Sequence, residues 1–253
     1  MPWDPDQYLR FADERSRPGF ELMARIPDVA PTSVVDLGCG TGNLTAWLAD
    51  RWPSAEVLGI DSSPEMIDRA RQDHPALVWR VGDVSTWRPD GRVDVIFSNA
   101  TLHWLDDHDR LFRRLRSYLT DSGVLAVQMP DNWREPTHRI PADVLDDGDW
   151  PDGARSALMR DRLSDPQAYV RWLQPADVDV WRTTYYQQLT GNDPVWSWVT
   201  GSVLRPVLAA LGDTDRERFE GICRSLYREA YPRGVDGVTT LPFSRIFVVA
   251  AVR

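Results

Sequence analysis

Residues 34–45, VVDLGCGTGNLT, decide the fold: an apolar, β-branched run ends at an aspartate and leads into three glycines at alternate positions. Glycine lets the backbone turn tightly and lets a ligand approach where a Cβ would clash. A strand that passes through such a loop into a helix is typical of an open α/β sheet. We therefore predict a strand over 33–37, a glycine loop over 38–42 and a helix over 44–51.

The same alternation of strand and helix continues to about residue 130. Short apolar runs predict strands over 56–60, 77–81, 93–98 and 123–129, and amphipathic stretches predict helices over 64–72 and 106–119. Apolar strands separated by helices indicate a parallel sheet that is covered on both faces. Beyond residue 130 the pattern predicts extended segments at 178–189 and 245–253. Helical patches are predicted near 154–163, 166–173 and 193–231.

Three aspartates end three successive predicted strands: Asp36, Asp61 and Asp83. The carboxyl ends of neighbouring parallel strands meet at one crevice, so these carboxylates should converge there. Asp61 suits ribose hydroxyls, and Asp83 can accept from an adenine amino group. Asp36 precedes the first glycine, where it would repel a pyrophosphate but attract a cofactor with a cationic amino-acid end. The G-x-G-x-G spacing also differs from the G-x-G-x-x-G of nicotinamide-binding proteins.

Four segments in this order resemble the signatures of class I S-adenosylmethionine-dependent methyltransferases: 34–45, 59–67 (GIDSSPEMI), 81–87 (VGDVSTW) and 94–105 (DVIFSNATLHWL). The resemblance implies an α/β fold, with a Rossmann-like, doubly wound, seven-stranded and mostly parallel sheet whose last strand is antiparallel, and an α-helical cap. It also implies S-adenosyl-L-methionine as the cofactor. The cofactor-binding residues that it implies are Asp36, Gly38, Gly40, Gly42, Asn43, Asp61, Ser62, Met66, Asp83, Val84, Asn99 and Leu102.

The two ends of the chain carry a narrower resemblance. Segments 1–18, 200–208 and 236–250 are similar to those of the trans-aconitate methyltransferases within this family. The similarity implies O-methylation of a carboxylate of trans-aconitate, giving the monomethyl ester and S-adenosylhomocysteine. A carboxylate is already ionised at neutral pH, so no catalytic base is required. Candidates for positioning this small tricarboxylate acceptor are His103, Trp104, Arg205, Arg245, Tyr8, Arg15 and Arg17.

Three alternatives stay open at this point. The acceptor could be another small acid or a hydrophobic molecule, which the 12 tryptophans would suit. The chain could also bind S-adenosylmethionine without catalysing transfer. A nicotinamide oxidoreductase is disfavoured by the glycine spacing.

The amino-acid composition bears on which partners, metals and cellular location the protein is expected to have. The 253 residues are 42% hydrophobic and 26% charged, with 29 basic side chains against 38 acidic ones and a formal charge of -9; all 29 are arginine. We expect no nucleic-acid partner, because binding to phosphates needs basic patches. We also expect no membrane span and no metal site. The two cysteines and the lack of an apolar leader predict a reduced, cytoplasmic protein.

The expected organisation is one methyltransferase domain over 1–253. Its core would span about 30–130, with edge strands near 178–189 and 245–253. A helical cap would be drawn from 1–28, 135–175 and 193–232. We expect a monomer or a weak homodimer.

Overall fold

A computed structural model describes residues 12–158, 163–201 and 203–253. Its seven strands form one sheet in the order β3-β2-β1-β4-β5-β7-β6. The strands are β1 (Ser33–Leu37), β2 (Glu56–Asp61), β3 (Val78–Val81), β4 (Val93–Asn99), β5 (Leu119–Pro130), β6 (Asp177–Leu189) and β7 (Thr239–Ala251).

Strands β1 to β5 pair in parallel and β7 pairs antiparallel with β5, so the predicted mostly parallel seven-stranded α/β sheet is confirmed. Two strands are longer than predicted. β5 begins at Leu119 instead of Gly123, and β7 begins at Thr239 instead of Arg245. Both extensions contain polar or turn-forming residues, so the apolar pattern alone does not indicate them.

Ten α-helices are present in the described residues, one before β1 and the others between successive strands. They are α1 (Ala12–Arg25), α2 (Asn43–Arg51), α3 (Pro64–Asp73), α4 (His108–Ser117), α5 (Pro136–Asp147), α6 (Asp152–Ala157), α7 (Pro166–Leu173), α8 (Pro194–Thr200), α9 (Arg205–Ala210) and α10 (Asp213–Ala230). The stretch predicted as helical over 193–231 is therefore three helices. Pro206 lies in the first turn of α9, where its missing N–H costs nothing, and Gly212 caps α10. Helix α5 lies within 135–175, a region predicted to contribute to the helical cap, although no separate helix was predicted at its position.

The chain divides into two compact units. Among the described residues, the first contains 12–130, 163–183 and 245–253, and the second contains 131–158, 184–201 and 203–244. In the first unit, β1, β4, β5 and β7 pack on α4 and α7 through buried side chains such as Phe112, Leu125 and Tyr169. Whether the whole chain is one domain with a cap stays a prediction.

The second unit is built from α5, α6, α8, α9 and α10. Tyr227 and Tyr231 join α10 to α5: the hydroxyl of Tyr227 donates to the Thr137 carbonyl at 3.0 Å, and that of Tyr231 accepts from the Thr137 amide at 3.3 Å. Asp193, before α8, accepts from both Arg224 and Arg228 on α10. Bonds from Arg228 hold the pKa of this carboxyl below its ordinary value.

Within the described ranges, no helix is both long and apolar enough to cross a membrane.

At the amino end of the central strands, Asp94 ties three strands together. One carboxylate oxygen accepts from the amides and hydroxyls of Thr32 and Ser33, at 2.8 to 3.2 Å, and the other accepts from the Thr120 hydroxyl at 2.9 Å. Burial by itself would raise the pKa of Asp94, but these hydrogen bonds outweigh it and hold the pKa below its ordinary value. The ionised form of Asp94 therefore stabilises the sheet.

We predict that Asp94→Ala lowers the free energy of unfolding by about 1 to 3 kcal/mol at neutral pH, because exposed and partly buried donors lose a charged acceptor. The folded-state pKa is depressed, so this stabilisation is present above the unfolded pKa of about 3.9 and is lost as pH falls through the folded value. Denaturant unfolding of the wild type and the variant at pH 7 and at pH 3 measures both the loss of stability and its dependence on pH. An equal loss for the exposed Asp90→Ala, or a difference that does not shrink in acid, would contradict the prediction.

Candidate functional site

Two side chains, Thr101 and Trp79, pack closely against the glycine loop between β1 and α2. Gly38 has φ 78°, and a Cβ there would lie 2.0 Å from the Thr101 hydroxyl oxygen. Gly42 has φ 83°, and its Cβ would lie 2.3 Å from the Trp79 ring. Both positions therefore require glycine, for backbone conformation and for space. A Cβ on Gly40, in contrast, would meet nothing within 4 Å, so the middle of the loop borders open space.

Asp61, the last residue of β2, fixes this loop. One of its carboxylate oxygens accepts from the Gly40 amide at 2.9 Å, and the other accepts from the Ser63 amide at 2.9 Å. A carboxylate has about four acceptor positions, so two remain for ligand hydroxyls. The same residues border a cleft at the carboxyl end of the sheet, which is lined by Gly38, Gly40, Asp61, Ser62, Met66, Asn99, Ala100, Thr101 and Trp104.

Asp36 lies beneath the loop and is only 3% exposed. Burial raises its pKa to about 7, against the opposing effect of a 2.6 Å hydrogen bond from the Thr45 hydroxyl, and the charge of Asp61 raises it further. The neighbouring Cys39 thiol has its pKa raised by burial and by both aspartates. It therefore stays protonated and is no nucleophile at neutral pH.

The opposite wall of the cleft follows β4. Ala100 has φ 54°, and this turn carries the chain into a short helical turn at Leu102–Trp104. Trp104 is 37% exposed and lines the cleft, whereas His103 is buried with its ring centroid 4.9 Å from that of Trp104. Trp104 is therefore the aromatic residue in the lining of this cleft.

The structure brings together six of the predicted cofactor-binding residues as cleft lining: Gly38, Gly40, Asp61, Ser62, Met66 and Asn99. The other six lie around it. Asp36 supports the loop from below, Gly42 and Asn43 begin α2, and Leu102 is fully buried in the core. Asp83 follows β3, where its carboxylate accepts from the Ser85 amide at 2.7 Å, and Val84 is buried beside it.

The predicted acceptor-positioning residues fall in different places. Arg245 is 4% exposed, in β7 opposite Pro130 of β5, and Arg17 pairs with Glu21 on the surface of α1 at 2.8 Å. Arg205 begins α9 of the second unit. Tyr8 and the side chain of Arg15 lie outside the described residues.

Sequence reasoning missed the residues that support the site. Thr45 orients Asp36, Thr101 fills the space beside Gly38, and Trp79 packs under Gly42. Only Thr45 carried a usable signal, since it lies in the first turn of α2, directly after the glycine loop.

Comparison with known proteins agrees with this geometry. A family model described as "Methyltransferase domain" matches residues 34–123. Proteins named trans-aconitate 2-methyltransferase from Escherichia coli O17:K52:H18 and from Escherichia coli O157:H7 strain EC4115 are 44% and 45% identical to this chain over 250 residues. The alignment covers 98% of this chain and 97% of each relative.

The chain belongs to the trans-aconitate 2-methyltransferase family. This confirms the resemblance to class I S-adenosylmethionine-dependent methyltransferases that the motifs indicated, and with it the enzyme class and the cofactor.

Solved structures agree on the fold. The YcgJ protein from Bacillus subtilis superposes with a TM-score of 0.59 at 15% identity, covering 93% of this chain and 97% of that one. The putative methyltransferase of Haloferax volcanii, solved with the Trm112 activator, gives 0.54 at 18% identity, covering 98% and 94%.

We predict that cofactor affinity rises as pH increases from 5.5 to 7.5, because Asp36 ionises near pH 7 and its anion attracts the cationic amino-acid end of the cofactor. Thr45→Val removes a hydrogen bond that lowers this pKa, so the rise should move to higher pH. Calorimetric titration with S-adenosylmethionine across this range measures the shift.

Thr45→Ser restores the hydroxyl and serves as the matched control, with a pH midpoint close to that of the wild type. Asp36→Asn should abolish the pH dependence. If the valine variant keeps the wild-type midpoint, Thr45 does not set the charge of Asp36.

Proposed function

We propose that this enzyme transfers a methyl group from S-adenosyl-L-methionine to a carboxylate of trans-aconitate, giving the monomethyl ester and S-adenosylhomocysteine. The observation that carries the proposal is the 44–45% identity, over nearly the full length, to proteins named trans-aconitate 2-methyltransferase. Geometry adds a buried cation, Arg245, at the carboxyl end of the sheet, where parallel α/β proteins bind their ligands.

The cleft fits the cofactor. Open space above Gly40 admits a ligand against the loop backbone, and Asp61 keeps acceptor positions for ribose hydroxyls. Asp36 supplies negative charge for an ammonium group. We propose that Met66 and Ser62 border the adenosine and that Asp83 and Val84 contact adenine. When bound, S-adenosylmethionine supplies an electrophilic methyl group on a sulfonium.

For the acceptor, the protein has to hold a carboxylate oxygen in line with the methyl carbon and the sulfur. The oxygen attacks in its ionised form, so no residue has to remove a proton. Alignment and exclusion of water can then supply most of the rate enhancement. Because the chain carries a charge of -9, a trianionic acceptor needs local cations, and Arg245 is a buried cation in the first unit.

Residues His103, Trp104, Arg205, Tyr8, Arg15 and Arg17 stay proposed contacts of the acceptor. We further propose a cytoplasmic enzyme, monomeric or weakly dimeric, that needs no nucleic acid, membrane or metal.

The direct test is methyl transfer from labelled S-adenosylmethionine to trans-aconitate, with cis-aconitate, isocitrate and citrate alongside and the ester identified by mass. We expect a monomethyl ester formed selectively from the trans isomer. Transfer to another acid, or binding of the cofactor without transfer to any of the four, would contradict the proposed acceptor.

Arginine variants test the acceptor site. We expect Arg245→Ala and Arg205→Ala each to lower kcat/KM for trans-aconitate by about 10- to 100-fold, since each removes a charge-assisted hydrogen bond, with cofactor affinity little changed. Arg92→Ala is the matched control, because Arg92 is exposed and precedes the amino end of β4. Full activity in both variants, or an equal loss in the control, would contradict a role for Arg245 and Arg205 in binding the acceptor.

A further inference from the structure

Gln128 is a polar side chain in a position that the sheet would normally give to an apolar one. It lies in β5, two residues before the strand ends, and is 0% exposed. Among the described residues, neither its amide nitrogen nor its amide oxygen has a hydrogen-bond partner. Leaving a buried amide unpaired is costly, so native proteins rarely keep one without a ligand or water for it.

The strand pattern decides which face of the sheet Gln128 occupies. Val127 and Met129, its two neighbours, both point into the core that packs on α4 and α7. Successive side chains of a strand alternate between faces, so Gln128 lies on the other face. Its interior position therefore is not explained by packing in that core.

The direct partner of Gln128 in β7 is the apolar Phe247, but two other neighbours in the sheet are polar. Asn99, beside it in β4, lines the cofactor cleft, and its buried amide oxygen has no partner among the described residues either. Arg245 faces Pro130 across β5 and β7, which makes it the diagonal neighbour of Gln128. Diagonal neighbours are roughly 7–8 Å apart, a distance that long side chains span.

We propose that Gln128 recognises the acceptor: its amide group hydrogen-bonds a carboxylate of the acid whose charge Arg245 balances. This assigns Gln128 as a specificity-determining residue, and it rests on the proposed function. The amide nitrogen donates to a carboxylate oxygen beside the cofactor cleft, because Asn99 connects Gln128 to that cleft through adjacent positions on β4 and β5. An acid acceptor thereby satisfies an amide that has no partner within the described ranges.

The competing role is binding of the cofactor's own carboxylate. The two roles differ in which Michaelis constant responds, so kinetics separate them. Gln128→Met keeps a similar volume and removes both polar atoms, and Gln128→Glu places a negative charge against an anionic acceptor. Met129→Leu is the matched control, since its side chain lies in the core on the other face.

The experiment measures KM and kcat for the acceptor and for S-adenosylmethionine in each variant. For Gln128→Met we expect KM for the acceptor to rise about 10- to 100-fold, the effect of one hydrogen bond to a charged group, with KM for the cofactor within about threefold of wild type. Gln128→Glu should raise KM for the acceptor still further, because its negative charge repels the anionic acceptor. The preference for a tricarboxylate over a dicarboxylate analogue should narrow in both variants and persist in Met129→Leu.

Other outcomes overturn the proposal. If KM for the acceptor is unchanged in Gln128→Met, the amide has a structural role. If only KM for the cofactor rises, the amide binds the cofactor. If the wild type methylates a different acid, the same comparison is made with that acid, and only the proposed acceptor has failed. If it methylates only uncharged acceptors, both proposals fail.

Discussion

The hydrogen bond from the Gly40 amide to the Asp61 carboxylate is the constraint on which the cleft depends. It joins the loop after β1 to the end of β2 at 2.9 Å, so the loop cannot close over the space above Gly40. The same carboxylate accepts from Ser63 at the start of the next helix. One side chain thus fixes the loop, begins α3 and still has acceptor positions directed at a ligand.

Charge is divided across the carboxyl end of the sheet. Asp36 and Asp61 lie on the loop side, where a cationic cofactor is expected, and Arg245 lies on the β7 side, where an anionic acceptor is expected. Such a division would give each ligand a side chain of opposite charge on its own side of the cleft. With Arg245 in the acceptor-binding role proposed above, a chain of charge -9 can bind a polyanion, because binding depends on the local cation and not on the net charge.

The sequence predicted the fold where local constraints act. Gly38 and Gly42 require positive φ, and apolar runs between helices require a buried parallel sheet, so the loop and β1 to β4 lie within a residue or so of their predicted bounds. Contacts between distant segments were out of reach. Thr101 was not predicted against Gly38, nor Gln128 beside Asn99, because those neighbours follow from the pairing of strands and not from spacing along the chain. The early start of β7 at Thr239 was missed for a similar reason: pairing extends the strand through polar residues.

Polar side chains at the two ends of the sheet differ in how well they are hydrogen-bonded. At the amino end, Asp94 receives five hydrogen bonds from Thr32, Ser33 and Thr120, so its ionised form stabilises the fold. At the carboxyl end, Asp36 is buried with its pKa raised, and Gln128 has unpaired amide atoms among the described residues, so both lower stability in the absence of ligand. The Gln128 amide can interact with a ligand without first breaking an internal hydrogen bond, since it has none among the described residues. The Asp94 hydrogen bonds therefore add stability at the amino end of the sheet, whereas buried polar groups at the carboxyl end reduce it.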